Sequence, residues 1–313
     1  MRTHSMAAFV ATCLVAYASV SQAQLQGGAA TSFEAPVLTG GSIKLPAVLY
    51  KAPDASKGAV VLLHGSGGWD DHREGYYARA LVAAGYSALA VDTFGPRSIT
   101  GTAADQSKLS TRQQESDMFA ARRFLIAQGF PADKLAIMGF SRGGTIAFHL
   151  ADMTYMPSEP DRFKVAIPFY AACTTRPRQP KPASALFVVL AEKDDWVGTK
   201  TCEAAANAHA AAGGKVTTKL YPDASHGFDG NPEHTRLFRI WDAATVVDCQ
   251  AIIEPDGSSS FDGKVYAGYM AGNTDLAVAM QKSCVKKGAT IWTNVSQKDA
   301  ATRDVIAFLN ANM

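Results

Sequence analysis

A serine between closely spaced glycines is the first feature of the chain that could carry chemistry. Ser141 lies in the stretch GFSRGG, with Gly139 two residues before it and Gly143 two residues after it. The pattern G-x-S-x-G is typical of a tight turn between a strand and a helix, which presents the serine hydroxyl and leaves no room for side chains at the flanking positions. A glycine-rich turn kept only for packing would look the same, so the interpretation depends on partners elsewhere in the chain.

A serine hydroxyl is a weak nucleophile at neutral pH and needs a histidine base and a carboxylate that orients this histidine. Both occur later in the chain, each just after an apolar run: Asp194 and Asp195 in FVVLAEKDDWVG, and His226 in LYPDASHGFDG. The order serine, acid, histidine is the order used with this kind of turn. We expect His226 to be the base, because the other histidines lie in predicted helices, polar stretches, the N-terminal segment or a glycine-rich loop.

The carbonyl oxygen of a substrate would become negative during attack and would need two backbone N–H donors. We expect the N–H of Arg142, the residue after the serine, to be one donor. The loop HGSGG at residues 64–68 is expected to supply the other from Ser66 or Gly67, because glycines let the backbone approach a substrate closely. The charged side chain of Arg142 is interpreted as a clue to substrate polarity, and His64 as a structural partner of the loop.

Side chains beside these motifs are candidates for substrate contacts. Trp69, Trp196 and Phe228 could line an acyl pocket next to Gly67, and Arg97 could hold an anionic group. Packing is the alternative role for the three aromatic residues, since large aromatic side chains mostly fill cores.

The elements that must position these residues follow from the apolar pattern. Strands are predicted at seven apolar runs bounded by turn residues, 43–50, 58–65, 87–94, 134–140, 164–170, 184–192 and 215–222. Helices are predicted at 76–86, 113–129, 144–153, 202–214 and 299–313, and a hairpin at 249–269. Strands that alternate with helices predict an α/β fold with a mostly parallel central sheet and helices on both faces, and ligands bind such sheets beyond the carboxyl ends of the strands. Because no linker interrupts these units, residues 24–313 are expected to form one domain.

The first 23 residues have the pattern of a secretory signal peptide. One arginine precedes an apolar stretch, and Ser21 and Ala23 are the small residues expected before a cleavage site. A membrane anchor is the alternative, although the apolar stretch is short for a bilayer span. Cleavage after Ala23 and export to the periplasm or the medium are therefore predicted, with no membrane attachment afterwards.

The cysteines that remain after this cleavage are Cys173, Cys202, Cys249 and Cys284. In an oxidising compartment they are expected to form two disulfides, and buried free thiols are the alternative. Four cysteines allow three connectivities, and spacing alone does not choose between them.

Composition and charge exclude several classes of function. The chain has 313 residues, of which 47% are hydrophobic and 19% charged, with a net charge of +2. Without a dense Lys/Arg block, this balance predicts neither nucleic-acid binding nor attachment to an anionic membrane. The glycines lack the spacing of a dinucleotide or phosphate loop, and no His/Cys group has the spacing of a zinc site. We therefore expect no metal and no cofactor.

Four stretches together resemble the dienelactone hydrolase family of α/β-hydrolases: LLHGSGGWDDHREGYYARALVAAGYSALAVDTFGPR, MGFSRGG, LAEKDDWV and YPDASHGFD. The tail KKGATIWTNVSQKDAATRDVIAFL is similar too. The resemblance implies the α/β-hydrolase fold, a triad of Ser141, Asp194 and His226, and hydrolysis of a small ester or lactone through an acyl-enzyme. In α/β-hydrolases the acid commonly stands three residues after the small residue that closes its strand, here Ala191, which favours Asp194 over Asp195. The type enzymes have cysteine where this chain has Ser141.

The implied fold also favours one disulfide pairing. Cys173 follows the strand at 164–170, and Cys202 begins the helix after the Asp194 loop, so both are expected at the same edge of the sheet. Cys249 would then pair with Cys284.

Two other functions are alternatives. A serine peptidase of the prolyl oligopeptidase type has the same motif and triad order but usually carries an extra large domain, for which this chain has no room. A hydrolase-like protein that binds without catalysis would not need a serine, an acid and a histidine at three strand ends. The oligomeric state and the natural substrate are left open.

Overall fold

The computed structural model describes residues 27–268 and 274–313, so the signal peptide predicted at residues 1–23 lies outside the described residues. The strands are β1 (Ala29–Pro36), β2 (Ser42–Tyr50), β3 (Ala59–Leu63), β4 (Ser87–Val91), β5 (Leu135–Phe140), β6 (Val165–Phe169), β7 (Thr175–Pro177), β8 (Ala185–Ala191), β9 (Val216–Tyr221), β10 (Phe238–Thr245), β11 (Ala251–Ile253), β12 (Ser259–Phe261), β13 (Lys264–Tyr266) and β14 (Lys286–Ile291). The α-helices are α1 (Tyr76–Ala83), α2 (Thr111–Ala127), α3 (Arg142–Leu150), α4 (Lys200–Ala211), α5 (Thr274–Ser283) and α6 (Val295–Asn312).

An eight-stranded sheet forms the centre of the fold, in the order β1-β2-β4-β3-β5-β6-β8-β9. β2 pairs antiparallel with both β1 and β4, whereas all the other neighbours are parallel. This is the mostly parallel α/β sheet that the sequence predicts, and the prediction is confirmed.

The hydrophobic core lies on both faces of this sheet because successive residues of a strand point to opposite faces. In β3, Val61 and Leu63 pack on the side of α2, α3 and α4, whereas Val60 and Leu62 pack on the side of α1 and α6. Every residue of β3 is buried. The central strands are therefore continuous apolar runs rather than alternating ones, as strands covered on both faces must be.

The seven predicted strands are all present, with ends that differ by at most three residues. β1 was not predicted. Its sequence AATSFEAP buries mainly Phe33 and Ala35, and most of its other residues face solvent, so it lacks a continuous apolar run. It forms because β2 offers an antiparallel partner along its whole length.

A second block of strands comes from the chain between β9 and α6, together with β7 from the chain between β6 and β8. β10 and β14 pair antiparallel into a two-stranded ribbon, which we call the C-terminal ribbon. β13, β12, β11 and β7 form a four-stranded sheet in that order, and its β11–β12–β13 part is the hairpin predicted at 249–269. In the part of the chain that the structure describes, no helix is both long and apolar enough to cross a membrane.

Two disulfides join Cys173 to Cys202 and Cys249 to Cys284. This is the pairing that the implied fold favours. The first links the segment after β6 to the start of α4, and both of its cysteines are buried. The second links the segment after β10 to the end of α5.

We predict that the variant Cys249→Ser/Cys284→Ser loses about 3–4 kcal/mol in free energy of unfolding. The reason is that a bridge spanning 35 residues restricts the unfolded chain. Urea unfolding followed by tryptophan fluorescence measures the change. The oxidised wild-type protein is the reference, and an unchanged unfolding midpoint would contradict the prediction.

Candidate active site

Ser141 lies between β5 and α3, at the carboxyl end of the central sheet. Its backbone has φ 53° and ψ −112°, a conformation that residues with a side chain rarely adopt. Its N–H donates to the carbonyl of Phe169, the last residue of β6, at 2.9 Å. The neighbouring strand therefore holds the turn that presents the serine hydroxyl.

The glycines around Ser141 are required by close backbone packing. A Cβ atom on Gly139 would overlap the carbonyl of Gly143 in α3, and one on Gly143 would overlap the carbonyl of Leu63 at the end of β3. A Cβ atom on Gly144 would lie 2.5 Å from the Phe169 carbonyl oxygen. The glycines of G-x-S-x-G are thus needed because the turn packs closely against the ends of both neighbouring strands, β3 and β6.

Three side chains form a continuous chain of hydrogen bonds. His226 Nε2 lies 2.8 Å from Ser141 Oγ, and His226 Nδ1 lies 2.8 Å from Asp194 Oδ2. The other oxygen of Asp194 accepts the backbone N–H groups of Trp196 and Val197, each at 2.9 Å. The carboxylate is thereby fixed by its own loop and can fix the imidazole in turn.

The structure brings Asp194, and not Asp195, to the histidine. Asp195 Oδ1 accepts the N–H of Thr290 in β14 at 2.7 Å. The two neighbouring carboxylates therefore do different work: Asp194 orients His226, whereas Asp195 attaches the C-terminal ribbon.

Aromatic rings hold the imidazole of His226 on two sides. The Tyr170 ring lies 4.8 Å from it, edge to face, and the Trp196 ring lies 4.7 Å from it. Next to His226, Ser225 Oγ donates to the Trp292 carbonyl and accepts the Trp292 N–H, both at 3.0 Å. The loop that carries the histidine is thus fixed to the residue after β14.

The two predicted oxyanion donors, Ser66 and Arg142, both lie close to Ser141. Ser66 and Gly67 line the same cleft as Ser141, and Arg142 is the first residue of α3, so its N–H has no partner within the helix. The Ser66 carbonyl accepts the Thr102 N–H at 2.9 Å, and Ser66 Oγ accepts from Gln106 Nε2 at 3.1 Å. These contacts orient the loop through the carbonyl and the hydroxyl of Ser66 and leave its N–H for a ligand.

The side chain of Arg142 does not face the cleft, so its interpretation as a clue to substrate polarity is wrong. The guanidinium is buried and donates to Gln114 Oε1 and Gln106 Oε1, both at 2.6 Å, and to the Leu109 carbonyl. Burial lowers its pKa to about 10. Its physical role is to attach the segment before α2 to the first turn of α3.

His64, the first residue of the loop HGSGG, is fully buried. Its Nδ1 lies 2.9 Å from the Gly65 carbonyl, and its Nε2 accepts the Thr93 N–H at 3.2 Å. Burial lowers the pKa of this imidazole to about 4. His64 is therefore neutral near pH 7 and joins the ends of β3 and β4.

A cleft of about 690 Å³ opens above the triad, and Ser66, Gly67, Ser141, Trp196 and His226 line it. Residues 27–268 and 274–313 contain no group of three or more histidine, cysteine or acidic side chains that could hold a metal ion.

Three residues that the sequence suggested as substrate contacts lie outside this cleft. The guanidinium of Arg97 is bound to both oxygens of the buried Asp117, at 2.8 and 3.0 Å. Phe228 is fully buried and stacks on Tyr221, with ring centroids 5.4 Å apart. Trp69 packs against the core on the side of α1 and α6. For the two aromatic residues the packing alternative is correct, and Arg97 is neutralised by its partner.

The cleft also contains residues that the motifs did not indicate. Arg73 lines it, its side chain is 14% exposed, and its Nε donates to Glu74 at 2.7 Å. A Cβ atom on Gly65 would lie 3.4 Å from Ser141 Cβ and 3.8 Å from a terminal nitrogen of Arg73, so this guanidinium lies near Ser141. Tyr170 follows β6 directly, and its position at a strand end was a signal that could have revealed it.

A second group of missed cleft residues comes from the C-terminal ribbon and its flanks: Leu237, Phe238, Ile240, Ile291 and Trp292. The ribbon is short, its strands are far apart in the sequence, and β10 is mostly exposed. Apart from the alternation of Phe238 and Ile240, no local pattern identified it.

We predict that the free energy of unfolding falls as the pH drops from about 6.5 to 4, in part because of His64. Its pKa is about 4 in the folded protein and about 6.5 in the unfolded chain, so in this window the unfolded state binds more protons. The full contribution of His64 to the free energy of unfolding is present above pH 6.5. On acidification this contribution is lost at up to about 1.4 kcal/mol per pH unit. In His64→Gln this part of the slope should disappear.

Urea unfolding at several pH values measures the effect of this substitution. The variant His72→Gln, which changes an exposed histidine nearby, is the control and should keep the wild-type slope. Equal slopes in wild type and His64→Gln would refute the assignment to His64.

Comparison with known proteins places this geometry in a family. Residues 45–245 match the sequence profile of the dienelactone hydrolase family. Among solved structures, a presumed dienelactone hydrolase from Klebsiella pneumoniae is 20% identical with a TM-score of 0.51, over 66% of this chain and 92% of that chain. A thermophilic esterase from the planctomycete Thermogutta terrifontis is 18% identical with a TM-score of 0.51, over 65% of this chain and 84% of that chain. No match was found among the curated proteins.

The solved structures share the α/β-hydrolase fold with this chain. The alignments include 84–92% of each solved structure but only 65–66% of this chain. About a third of this chain therefore lies outside the shared fold. The sequence profile spans more than half of the chain, from β2 to the end of β10. On this match and this fold, the chain belongs to the dienelactone hydrolase family.

Proposed function

We propose that this hydrolase cleaves a small carboxylic ester or lactone through an acyl-enzyme on Ser141. The observation that carries the proposal is the approach of His226 Nε2 to Ser141 Oγ at 2.8 Å, with Asp194 on the other ring nitrogen at 2.8 Å. Such an arrangement lets the imidazole take the hydroxyl proton at the moment of attack. Membership of the family supports the same chemistry.

In the first half of the reaction, Ser141 Oγ bonds to the ester carbonyl carbon and its proton moves to His226 Nε2. The carbonyl oxygen becomes negative and accepts the N–H groups of Ser66 and Arg142. Each such donor is typically worth about 3 kcal/mol in the transition state. When the intermediate collapses, the alcohol oxygen leaves with the proton from His226, and the acyl group stays on Ser141.

In the second half, a water molecule gives a proton to His226 and its oxygen attacks the acyl carbon. Collapse breaks the bond to Ser141 Oγ, which recovers its proton from His226, and the carboxylic acid leaves. Asp194 keeps the Nδ1–H tautomer in place throughout, so Nε2 is always the nitrogen that faces the reacting atoms.

The proposed location is outside the cytoplasm, in the periplasm or the medium. The two disulfides support it, because such bonds persist mainly in oxidising compartments. In this proposal, residues 1–23 are removed as a signal peptide and residues 24–313 act as one hydrolase domain.

We predict that Ser141→Ala lowers kcat for p-nitrophenyl acetate by about 10⁴-fold or more, because the substitution removes the hydroxyl that attacks the ester. Release of p-nitrophenolate measures the rate, and circular dichroism checks that the variant is folded. A fluorophosphonate probe should label the wild type and not the variant. The Thermogutta esterase is phosphorylated by paraoxon, which supports this choice of reagent. Full activity of the variant would refute the mechanism.

We predict a large difference between two neighbouring aspartates. Asp194→Asn should lower kcat by about 10³–10⁴-fold, because the amide no longer stabilises the imidazolium. Asp195→Asn should stay within about threefold of wild type, since an amide oxygen can still accept the Thr290 N–H. The same p-nitrophenyl acetate assay compares them, and similar losses in both variants would contradict the assignment.

A further inference from the structure

One wall of the active-site cleft is made of apolar side chains, two of which are largely exposed in the part of the chain that the structure describes. Leu237 and Phe238 line the cleft although they are 67% and 62% exposed. Ile240, Ile291 and Trp292 continue this surface towards Trp196, which touches the His226 ring. We call these six residues the apolar wall. It is continuous with the space above Ser141.

Strand geometry separates this wall from the other face of β10. Successive residues of a strand point to opposite sides, so Phe238 and Ile240 face the cleft whereas Arg239 and Trp241 do not. Arg239 instead lies over the Trp241 ring at 5.0 Å. The two large aromatic residues of β10 therefore have different surroundings, and of the two only Phe238 lines the cleft that contains Ser141.

The wall is firmly attached to both catalytic loops. Trp196 Nε1 donates to the Ala244 carbonyl at 3.0 Å, and the Trp196 carbonyl accepts the Val246 N–H at 2.8 Å, which fixes β10 to the Asp194 loop. Ser225 binds the backbone of Trp292 and so fixes the other strand to the His226 loop. A ligand on this wall would therefore be held at a defined position relative to Ser141.

The rest of the cleft has a different chemical character. Asp70, Arg73, Glu233 and Arg236 contribute charged side chains to the lining of the same cleft, besides the six residues of the wall. An apolar group that covers the exposed surface of Leu237 and Phe238 would bind favourably, because the removal of apolar surface from water lowers the free energy.

We propose that the apolar wall is the binding subsite for a bulky apolar group of the substrate, aromatic or long-chain alkyl, attached to the ester whose carbonyl reacts with Ser141. This inference rests on the proposed esterase function and specifies its substrate class. The occupant is part of the substrate, because the wall and the nucleophile belong to one continuous cleft.

The test compares kcat/KM for methyl acetate, methyl octanoate, methyl benzoate and benzyl acetate, measured by acid release in a pH-stat. The two benzene-ring esters carry the ring on the acyl side and on the alcohol side, so they distinguish the two possible orientations. Wild type should prefer at least one bulky ester over methyl acetate by about tenfold or more.

Phe238→Ala should lower kcat/KM for the preferred bulky ester by about tenfold and change methyl acetate by less than about twofold. Phe238→Leu should restore most of the loss. Trp241→Ala is the matched control, because it removes an aromatic ring of the same strand that is 76% exposed on the other face. It should leave all four substrates unchanged.

The outcomes separate this inference from the proposed function. A wild type that hydrolyses all four esters at similar kcat/KM, or an equal loss in Phe238→Ala and Trp241→Ala, would overturn the subsite while leaving the esterase function in place. A wild type that hydrolyses none of them and resists a fluorophosphonate probe would overturn the function itself.

Discussion

Backbone contacts around the nucleophile turn are the constraint on which the rest of the site depends. Gly143 lies so close to the carbonyls of Leu63 and His64 that no side chain fits between them. This contact brings the end of β3, and the oxyanion loop that follows it, against the first turn of α3. Ser66 and Arg142 can therefore present N–H groups beside Ser141, where the N-terminal end of α3 also favours negative charge.

Two basic side chains around this turn, those of His64 and Arg142, are buried and bound to partners. Burial keeps His64 neutral, and oxygen acceptors from Gln106 and Gln114 satisfy the guanidinium of Arg142. Gln106 also donates to Ser66, so Arg142 supports the oxyanion loop through one intermediate side chain. The charged side chain next to Ser141 in the sequence thus has a structural role, whereas Arg73 and Arg236, from other parts of the chain, line the cleft.

The C-terminal ribbon supports the other half of the site. β10 is fixed to the loop of Asp194 through Trp196, and the residue after β14 is fixed to the loop of His226 through Ser225. Asp194 and His226 come from different strand ends, so the distance between them depends on a common support. The same ribbon supplies Phe238, Ile240 and Ile291 of the apolar wall, so the proposed substrate subsite and the triad geometry share one structural element.

The sequence by itself determined the fold class, seven strands of the central sheet and the candidate triad. These follow from local patterns, because apolar runs mark the strands, glycines mark the tight turn at Ser141, and the ends of parallel strands converge at one edge. The tertiary structure alone decided where the side chain of Arg142 points, that Asp117 neutralises Arg97, and which strands complete the cleft. Each of these depends on contacts between residues far apart in the chain, and local spacing carries no information about such contacts.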